Sequence, residues 1–169
     1  MVEFYLDLLE LGYFETKIAF EGLADAHVWK RPAEGLLSVG ELAGHIAYWE
    51  AVRLAGDGGT LEDSPVQCHV ISPLIDPRFR YYPATIATPP SEQHLAMTAA
   101  QVCSELVRVH EETIAYFRAQ NTDPASSAPG WPPNNTFGEL LKYLVFHIGY
   151  HAGQMYTVRH LLGETPPDN

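Results

Sequence analysis

The sequence predicts an all-α fold, a four-helix bundle with a long connection between helices two and three. Four segments repeat apolar residues at the 3.6-residue spacing of amphipathic helices, and capping signals mark several of their ends. Two proline-rich stretches separate the later segments. At 169 residues the chain is long enough for one domain with a full core, so we expect residues 1–169 to form a single domain.

The first two predicted helices are joined by a short connection, which suits antiparallel neighbours. Helix one runs from about Glu3 to His27. Helix two opens at Ser38, which has the spacing of a capping box with Glu41, and it ends near residues 56–59. The apolar faces of the two helices comprise Leu6, Leu9, Tyr13, Phe20 and Ala24, and Leu42, His45, Trp49 and Val52.

The connection between helices two and three is long, from Asp57 to Pro90, and it is dense in proline and glycine. We expect no helix of useful length there, because proline lacks the N–H donor and restricts the residue before it. A connection of this length can carry the chain back along the bundle, so helices two and three can run parallel. Helix three starts after Ser91, and its face comprises Leu95, Val102, Leu106, Val109, Thr113 and Phe117.

The fourth helix follows a second proline-rich loop, residues 121–135. It opens at Thr136, which has the capping-box spacing with Glu139, and it reaches about Leu162 before a glycine ends it. Its stripe on the core side comprises Leu140, Leu144, His147, His151, Gln154 and Val158.

Composition limits the classes of function. The chain has 10 Lys and Arg against 21 Asp and Glu, and its net charge of −11 opposes binding to nucleic acid or to an anionic membrane surface. No apolar run approaches the roughly 20 residues that span a bilayer, and the N-terminus has no secretory pattern. Cys68 and Cys103 do not make a disulfide framework. We therefore expect a cytoplasmic protein with free thiols that binds neither nucleic acid nor membrane.

Three histidines lie at positions that face the core. His147 and His151 are four residues apart, so both project from one face of helix four, and His45 lies on the matching face of helix two. Burying neutral imidazoles without partners is costly, and a divalent ion would bind their lone pairs. If helices two and four are antiparallel neighbours, the three side chains can converge on one ion and leave it an open coordination position. The alternative is separate core histidines that each find a hydrogen-bond partner.

The remaining five histidines are interpreted differently. His110 lies on the flank of helix three and is a reserve ligand, although a partly exposed position at the seam of the bundle suits it better. The other four show no partner pattern and are predicted to lie at the surface or in loops: His27, His69, His94 and His160.

Helix four carries three further residues of interest. Gln154 shares the stripe with His147 and His151, where it either orients a histidine or a metal-bound water, or satisfies neighbouring backbone groups. Gly149 and Gly153 lie on another side, where they would let a second backbone approach closely, in a helix contact or a dimer interface.

Two motifs resemble those of the DinB/YfiT-like superfamily. Residues 38–46, with an aromatic residue at Trp49, are similar to the first motif of that superfamily, and they include His45. Residues 147–154 have its second motif, a His-x3-His-x-Gly-Gln pattern on the last helix. The resemblance extends over essentially the whole chain.

The resemblance implies a four-helix bundle, often dimeric, that binds one divalent ion (zinc, nickel or iron) through His45, His147 and His151. Some relatives are thiol-dependent enzymes, bacillithiol S-transferases and mycothiol-dependent maleylpyruvate isomerases. We therefore expect a homodimeric, metal-dependent hydrolase or thiol-dependent S-transferase or isomerase. It would act on a small-molecule substrate with a low-molecular-weight thiol. A non-enzymatic metal-binding or stress-related bundle and a metal-free ligand-binding bundle are the alternatives.

Overall fold

A computed structural model describes residues 2–57, 67–80, 88–128 and 135–167. These residues form helices and no named strand, with two isolated β-bridges in the loops, so the all-α class is confirmed for them. Parts of both proline-rich loops, residues 58–66, 81–87 and 129–134, lie outside the described residues. The helices are α1 Val2–Phe20, α2 Asp25–Val28, α3 Val39–Leu54, α4 Glu92–Leu95, α5 Ala99–Ala119 and α6 Phe137–Leu161, with a 3-10 helix at Pro77–Phe79.

The predicted first helix is broken into two. The helix α1 ends at Phe20, not near His27, because Gly22 has a φ of +69°, a left-handed conformation that ends an α-helix. The chain then forms the short helix α2, in which Trp29 is the C-cap.

The predicted third helix is also two helices, and each has its own capping box. Ser91 caps only α4, which has one turn. The hydroxyl of Thr98 then accepts a hydrogen bond from the N–H of Gln101, and α5 begins. The capping boxes predicted at Ser38 and Thr136 are both present.

The four long helices pack against one another around an apolar core, with α3 touching α5 and α6, and α1 touching α5 and α6. Helices α1 and α6 run parallel, because Gly12 lies against Ile148 near their middles and the carbonyl of Ala19 accepts a hydrogen bond from Arg159 (2.9 Å) near their ends. Helix α5 runs antiparallel to α1, since Tyr13 stacks on His110 (3.7 Å) and Arg118 pairs with Glu3.

Helices α3 and α5 begin at the same end of the molecule. The ring of Trp29 lies against Gly40 at the start of α3, and its Nε1–H donates to the carbonyl of Met97 (3.0 Å) just before α5. The two helices therefore run parallel, in the way that the long connection between them allows. Among the described residues, no helix is long and apolar enough to cross a membrane.

Candidate metal centre

The three histidines singled out by their spacing come together in the core. His45 projects from α3, and His147 and His151 project from successive turns of α6. Each offers one ring nitrogen, and these nitrogens all lie within 4.8 Å of one another. The side chains are only 6%, 6% and 3% exposed. The structure thus places three imidazoles from two sequence-distant helices around one point, away from bulk water.

A hydrogen bond to the loop orients the ring of His45. Its Nδ1–H donates to the carbonyl of Phe79 (2.6 Å), the last residue of the 3-10 helix. A side chain at Gly44 would collide with the ring of Phe79, so the glycine lets this turn lie directly on α3. With the proton held on Nδ1, the lone pair of His45 is on Nε2.

Gln154 orients His151 in a similar way. The Nδ1–H of His151 donates to the side-chain carbonyl of Gln154 (2.6 Å), one turn later on α6, so the lone pair of His151 is also on Nε2. Of the two roles considered for Gln154, the structure supports the orientation of a histidine. The third ring, that of His147, stacks on Tyr143 (5.8 Å between centroids).

Burial keeps the three imidazoles neutral. Together with the proximity of His151, it lowers the pKa of His45 to about 4 and the pKa of His147 to about 2. The pKa of His151 is also lowered, mainly by burial. At neutral pH all three residues therefore carry lone pairs that can bind a cation.

The donor set fits a divalent metal ion. Histidine nitrogens bind zinc-like ions at about 2.0–2.1 Å, so in a tetrahedral site they lie about 3.3 Å apart. The three ligand nitrogens, all within 4.8 Å of one another, are near that spacing. Among the described residues, this is the one group of three or more His, Cys, Asp or Glu side chains whose ligand atoms converge.

Aromatic rings surround the three histidines. Trp49 meets His45 edge-on at 6.4 Å, and Tyr150 meets His151 edge-on at 5.0 Å. The guanidinium of Arg53 lies 5.0 Å above the ring of Trp49. The site thus combines three neutral nitrogen ligands with apolar surroundings and a cation nearby.

The other histidines lie elsewhere. His110, the reserve ligand, is 5% exposed and bonds Glu50 on a different face of α3, so the expected partly exposed position at the seam is wrong. His94 is 2% exposed, so its predicted surface or loop position is wrong too. His160 is exposed, while His27 and His69 pair with acidic residues at or near the surface.

His94 shows what sequence reasoning missed. Its Nε2–H donates to the carbonyl of Pro73 (2.8 Å), and its ring packs on Phe79 (4.8 Å). It thereby helps to hold the turn whose carbonyl orients His45. The loop has no periodicity that would indicate this contact, and only the Asp76-Pro77 start of the turn could have suggested it.

The described residues form helices and bury three histidines between two of the long ones, which makes the protein a candidate metal protein. The chain belongs to the DinB superfamily, whose family model matches residues 8–155, a range that includes His45, His147 and His151. The resemblance found in the two motifs is thereby confirmed. No curated protein and no solved structure matches the chain.

Proposed function

We propose that this protein binds one divalent metal ion through His45, His147 and His151 and uses it in a thiol-dependent reaction. The observation that carries the proposal is the convergence of three buried, neutral imidazoles within 4.8 Å. Zinc, nickel and iron all accept such ligands. The superfamily assignment supports the proposal.

The proposal includes an architecture. We take the four long helices as a four-helix bundle in a single domain, and the chain between α3 and α4 as its long connection. In that arrangement the connection has a function at the site, because it supplies the Phe79 carbonyl that holds His45.

The proposed reaction is S-transfer or isomerisation of a small molecule with a low-molecular-weight thiol as co-substrate, or hydrolysis by bound water. When bound, a divalent ion supplies Lewis acidity, which lowers the pKa of a thiol or water bound to it. Three protein ligands leave an open position for that group. The Phe79 carbonyl orients His45 and Gln154 orients His151, while the rings of Trp49 and Tyr143 lie beside His45 and His147.

Metal content tests the ligand set. We expect about one equivalent of metal per chain in the native protein and a severe loss in His151→Ala. His160→Ala is the matched control, because it removes an exposed imidazole from the same helix. Elemental analysis after reconstitution with zinc, nickel or iron(II) gives the answer. Equal metal content in native protein and His151→Ala would end the proposal.

Metal removal separates catalysis from a structural role. His45 and His147 belong to helices far apart in sequence, so an ion between them could also serve only to join α3 to α6. If the ion is catalytic, chelation should leave a folded protein, with helical circular dichroism retained, that has lost activity in a screen of cellular thiols against electrophiles. A large fall in the melting temperature together with a silent screen would favour the non-enzymatic alternative.

A further inference from the structure

A row of side chains on α3 leads from the candidate metal centre to a cation. His45, Trp49 and Arg53 are spaced four residues apart, so they project from the same face of the helix. The rings of Trp49 and His45 meet edge-on with 6.4 Å between centroids, and the Arg53 guanidinium lies 5.0 Å above the Trp49 ring. Because the side chains of a helix lean toward its N-terminus, Arg53 is directed back along α3 toward His45.

A second row, on α6, reaches the same cation. Tyr143 and His147 are also four residues apart, and their rings stack with 5.8 Å between centroids. The hydroxyls of Tyr48 and Tyr143 lie close to the Arg53 guanidinium. Burial lowers the pKa of Arg53, and these two hydroxyls act to raise it. Arg53 therefore lies beside both rows, next to an aromatic neighbour of one metal ligand on each helix.

The ends of the two rows are more exposed than the histidines. His45 and His147 are each 6% exposed, whereas Tyr143 is 42% exposed. Trp49 and Arg53 are only partly buried. Exposure thus increases along both rows from the histidines toward Arg53, which makes the guanidinium accessible to a molecule that is bound at the histidines.

The charges at this end of the site favour an anion. The converging ligands are neutral imidazoles, and no Asp or Glu of the described residues joins them, so a bound divalent ion would keep its full charge. Arg53 adds a second positive charge beside it, because a guanidinium stays protonated in proteins. Two adjacent cationic groups attract a negatively charged ligand, even in a chain with a net charge of −11.

We propose that Arg53 binds a carboxylate group of the small molecule that reacts at the metal centre. The inference rests on the proposed function, since it takes the three histidines as the reaction site. A planar guanidinium matches a carboxylate with two parallel hydrogen bonds, and its five N–H donors leave others for the contacts that it already makes. The Tyr143 hydroxyl donates a further hydrogen bond to the same carboxylate. The substrate class is therefore a small carboxylic acid.

Two thiol probes bound to the cobalt(II)-substituted protein test the proposal. Mercaptohexanoate has a terminal thiol for the ion and a carboxylate for Arg53, and mercaptohexanol is the matched neutral probe. Both should give a sulfur-to-cobalt charge-transfer absorption, which measures binding without any assay of activity. The acid should bind the native protein roughly tenfold or more tightly than the alcohol. Equal affinities would overturn the proposal, unless the second probe below shows binding that depends on Arg53.

Benzoate shows which molecule carries the carboxylate. The ion is first saturated with mercaptoethanol, and benzoate is then titrated by calorimetry while the charge-transfer absorption is retained. Binding that depends on Arg53 would assign the carboxylate to a separate electrophile. A preference for mercaptohexanoate that depends on Arg53, without binding of benzoate, would assign it to the thiol co-substrate. If neither effect depends on Arg53, the proposal is wrong.

Arg53→Gln measures that dependence, and Arg118→Gln is the matched control. Arg118 belongs to an exposed ion pair with Glu3 near the end of α5, so its substitution removes the same charge elsewhere. Arg53→Gln should keep the native metal content and lose the preference for the carboxylate, while Arg118→Gln should keep both. If Arg53 served only to pack on Trp49, the preference would be unchanged in Arg53→Gln, and that result would refute the proposal.

Tyr143→Phe gives a second measurement, which decides the matter if Arg53→Gln does not fold. It keeps the ring that stacks on His147 and removes only the hydroxyl of a half-exposed side chain. The carboxylate probe should bind about threefold or more weakly to Tyr143→Phe, and mercaptohexanol should bind as it does to the native protein. Unchanged affinity for the carboxylate probe would contradict the assigned contacts.

The carboxylate contacts and the metal centre can fail separately. If neither thiol gives the charge-transfer absorption, there is no metal centre, and both proposals are wrong. If both thiols give it and no carboxylate probe depends on Arg53, the metal centre stands and only the role of Arg53 is overturned.

Discussion

At the scale of single residues, the histidine site depends on hydrogen bonds to the nitrogens that face away from it. His45 is held by a backbone carbonyl and His151 by the side chain of Gln154. Such bonds fix the tautomer and limit ring rotation, so they prepare the site before any ion arrives. A histidine side chain without such a bond would lose its rotational freedom only when the ion binds, and that loss would weaken the binding.

Gln154→Leu tests this preparation. The substitution keeps the size of the side chain but removes the acceptor for the Nδ1–H of His151. We expect metal affinity to fall about 10- to 100-fold, with the helical content unchanged. Competition with a chromophoric chelator measures the affinity.

Thr157→Val is the control for Gln154→Leu, because Thr157 is exposed on the same helix and its hydroxyl donates to the carbonyl of Gly153, away from His151. An affinity equal to that of the native protein in Gln154→Leu would show that the hydrogen bond has no role in binding.

The site residues differ in how far the sequence reveals them. His147 and His151 are evident from a spacing of four on an apolar stripe, and His45 from its place on a second stripe. The Phe79 carbonyl has no such signal, since any residue supplies a carbonyl and only the loop conformation brings this one to His45. His94 was missed for the same reason, because its partners lie in the loop.

At the scale of helices, the stripes predicted the long elements correctly, whereas their ends depended on local backbone chemistry. Apolar periodicity continues through Gly22, yet its positive φ ends α1. Periodicity also continues from Ser91 to Phe117, yet Thr98 competes as a second cap. A periodic pattern indicates which face of a helix is buried, but it does not reveal three or four non-helical residues that divide the helix in two.

Alanine substitutions at two helical glycines should change the stability of the protein in opposite directions. At Gly44 the added methyl group would meet the Phe79 ring, so we expect Gly44→Ala to destabilise the protein by about 1–3 kcal/mol and to weaken metal binding by shifting the Phe79 carbonyl. At Gly153 nothing lies within 4 Å of the added methyl, and Gly153→Ala should stabilise the monomer by about 1 kcal/mol through helix propensity. Urea unfolding measures both.

The same pair bears on the predicted dimer. No helix contact within the described chain uses Gly149 or Gly153, since nothing lies within 4 Å of either position. A dimer interface there remains a prediction. If Gly153→Ala lowers stability or shifts the sedimentation coefficient toward the monomer, a second copy packs on this face. A stabilised variant with unchanged sedimentation argues against that interface.

At the scale of the whole molecule, the C-terminal segment ties the ends of α1 and α6 together. The buried guanidinium of Arg159 donates to the carbonyl of Ala19, in the last turn of α1, and to the carbonyl of Glu21, just after it (2.9 and 2.8 Å). Glu164 then accepts from Arg159 and from His27, both at 2.7 Å. One carboxylate therefore balances a buried cation and links α2 to the end of α6.

The shifted pKa of Glu164 predicts how the free energy of unfolding depends on pH. Burial acts to raise the pKa of Glu164, but hydrogen bonds from His27 and Arg159 outweigh it, so the pKa lies below its ordinary value of 4.5. The unfolded chain consequently binds the proton more readily than the folded protein. The contribution of Glu164 is therefore fully present above about pH 4.5 and is lost as the pH falls through the folded-state value.

Glu164→Gln should remove the stability that Glu164 contributes at neutral pH and should have a smaller effect in acid. At pH 7 the variant should be less stable by about 1–3 kcal/mol, because Arg159 stays buried without its counter-charge. Below pH 4 the difference in free energy of unfolding between the variant and the native protein should decrease, since protonation removes the same charge from the native protein. Urea unfolding at pH 7 and at pH 3.5 measures this difference, and a constant difference would mean that Glu164 is not the titrating group.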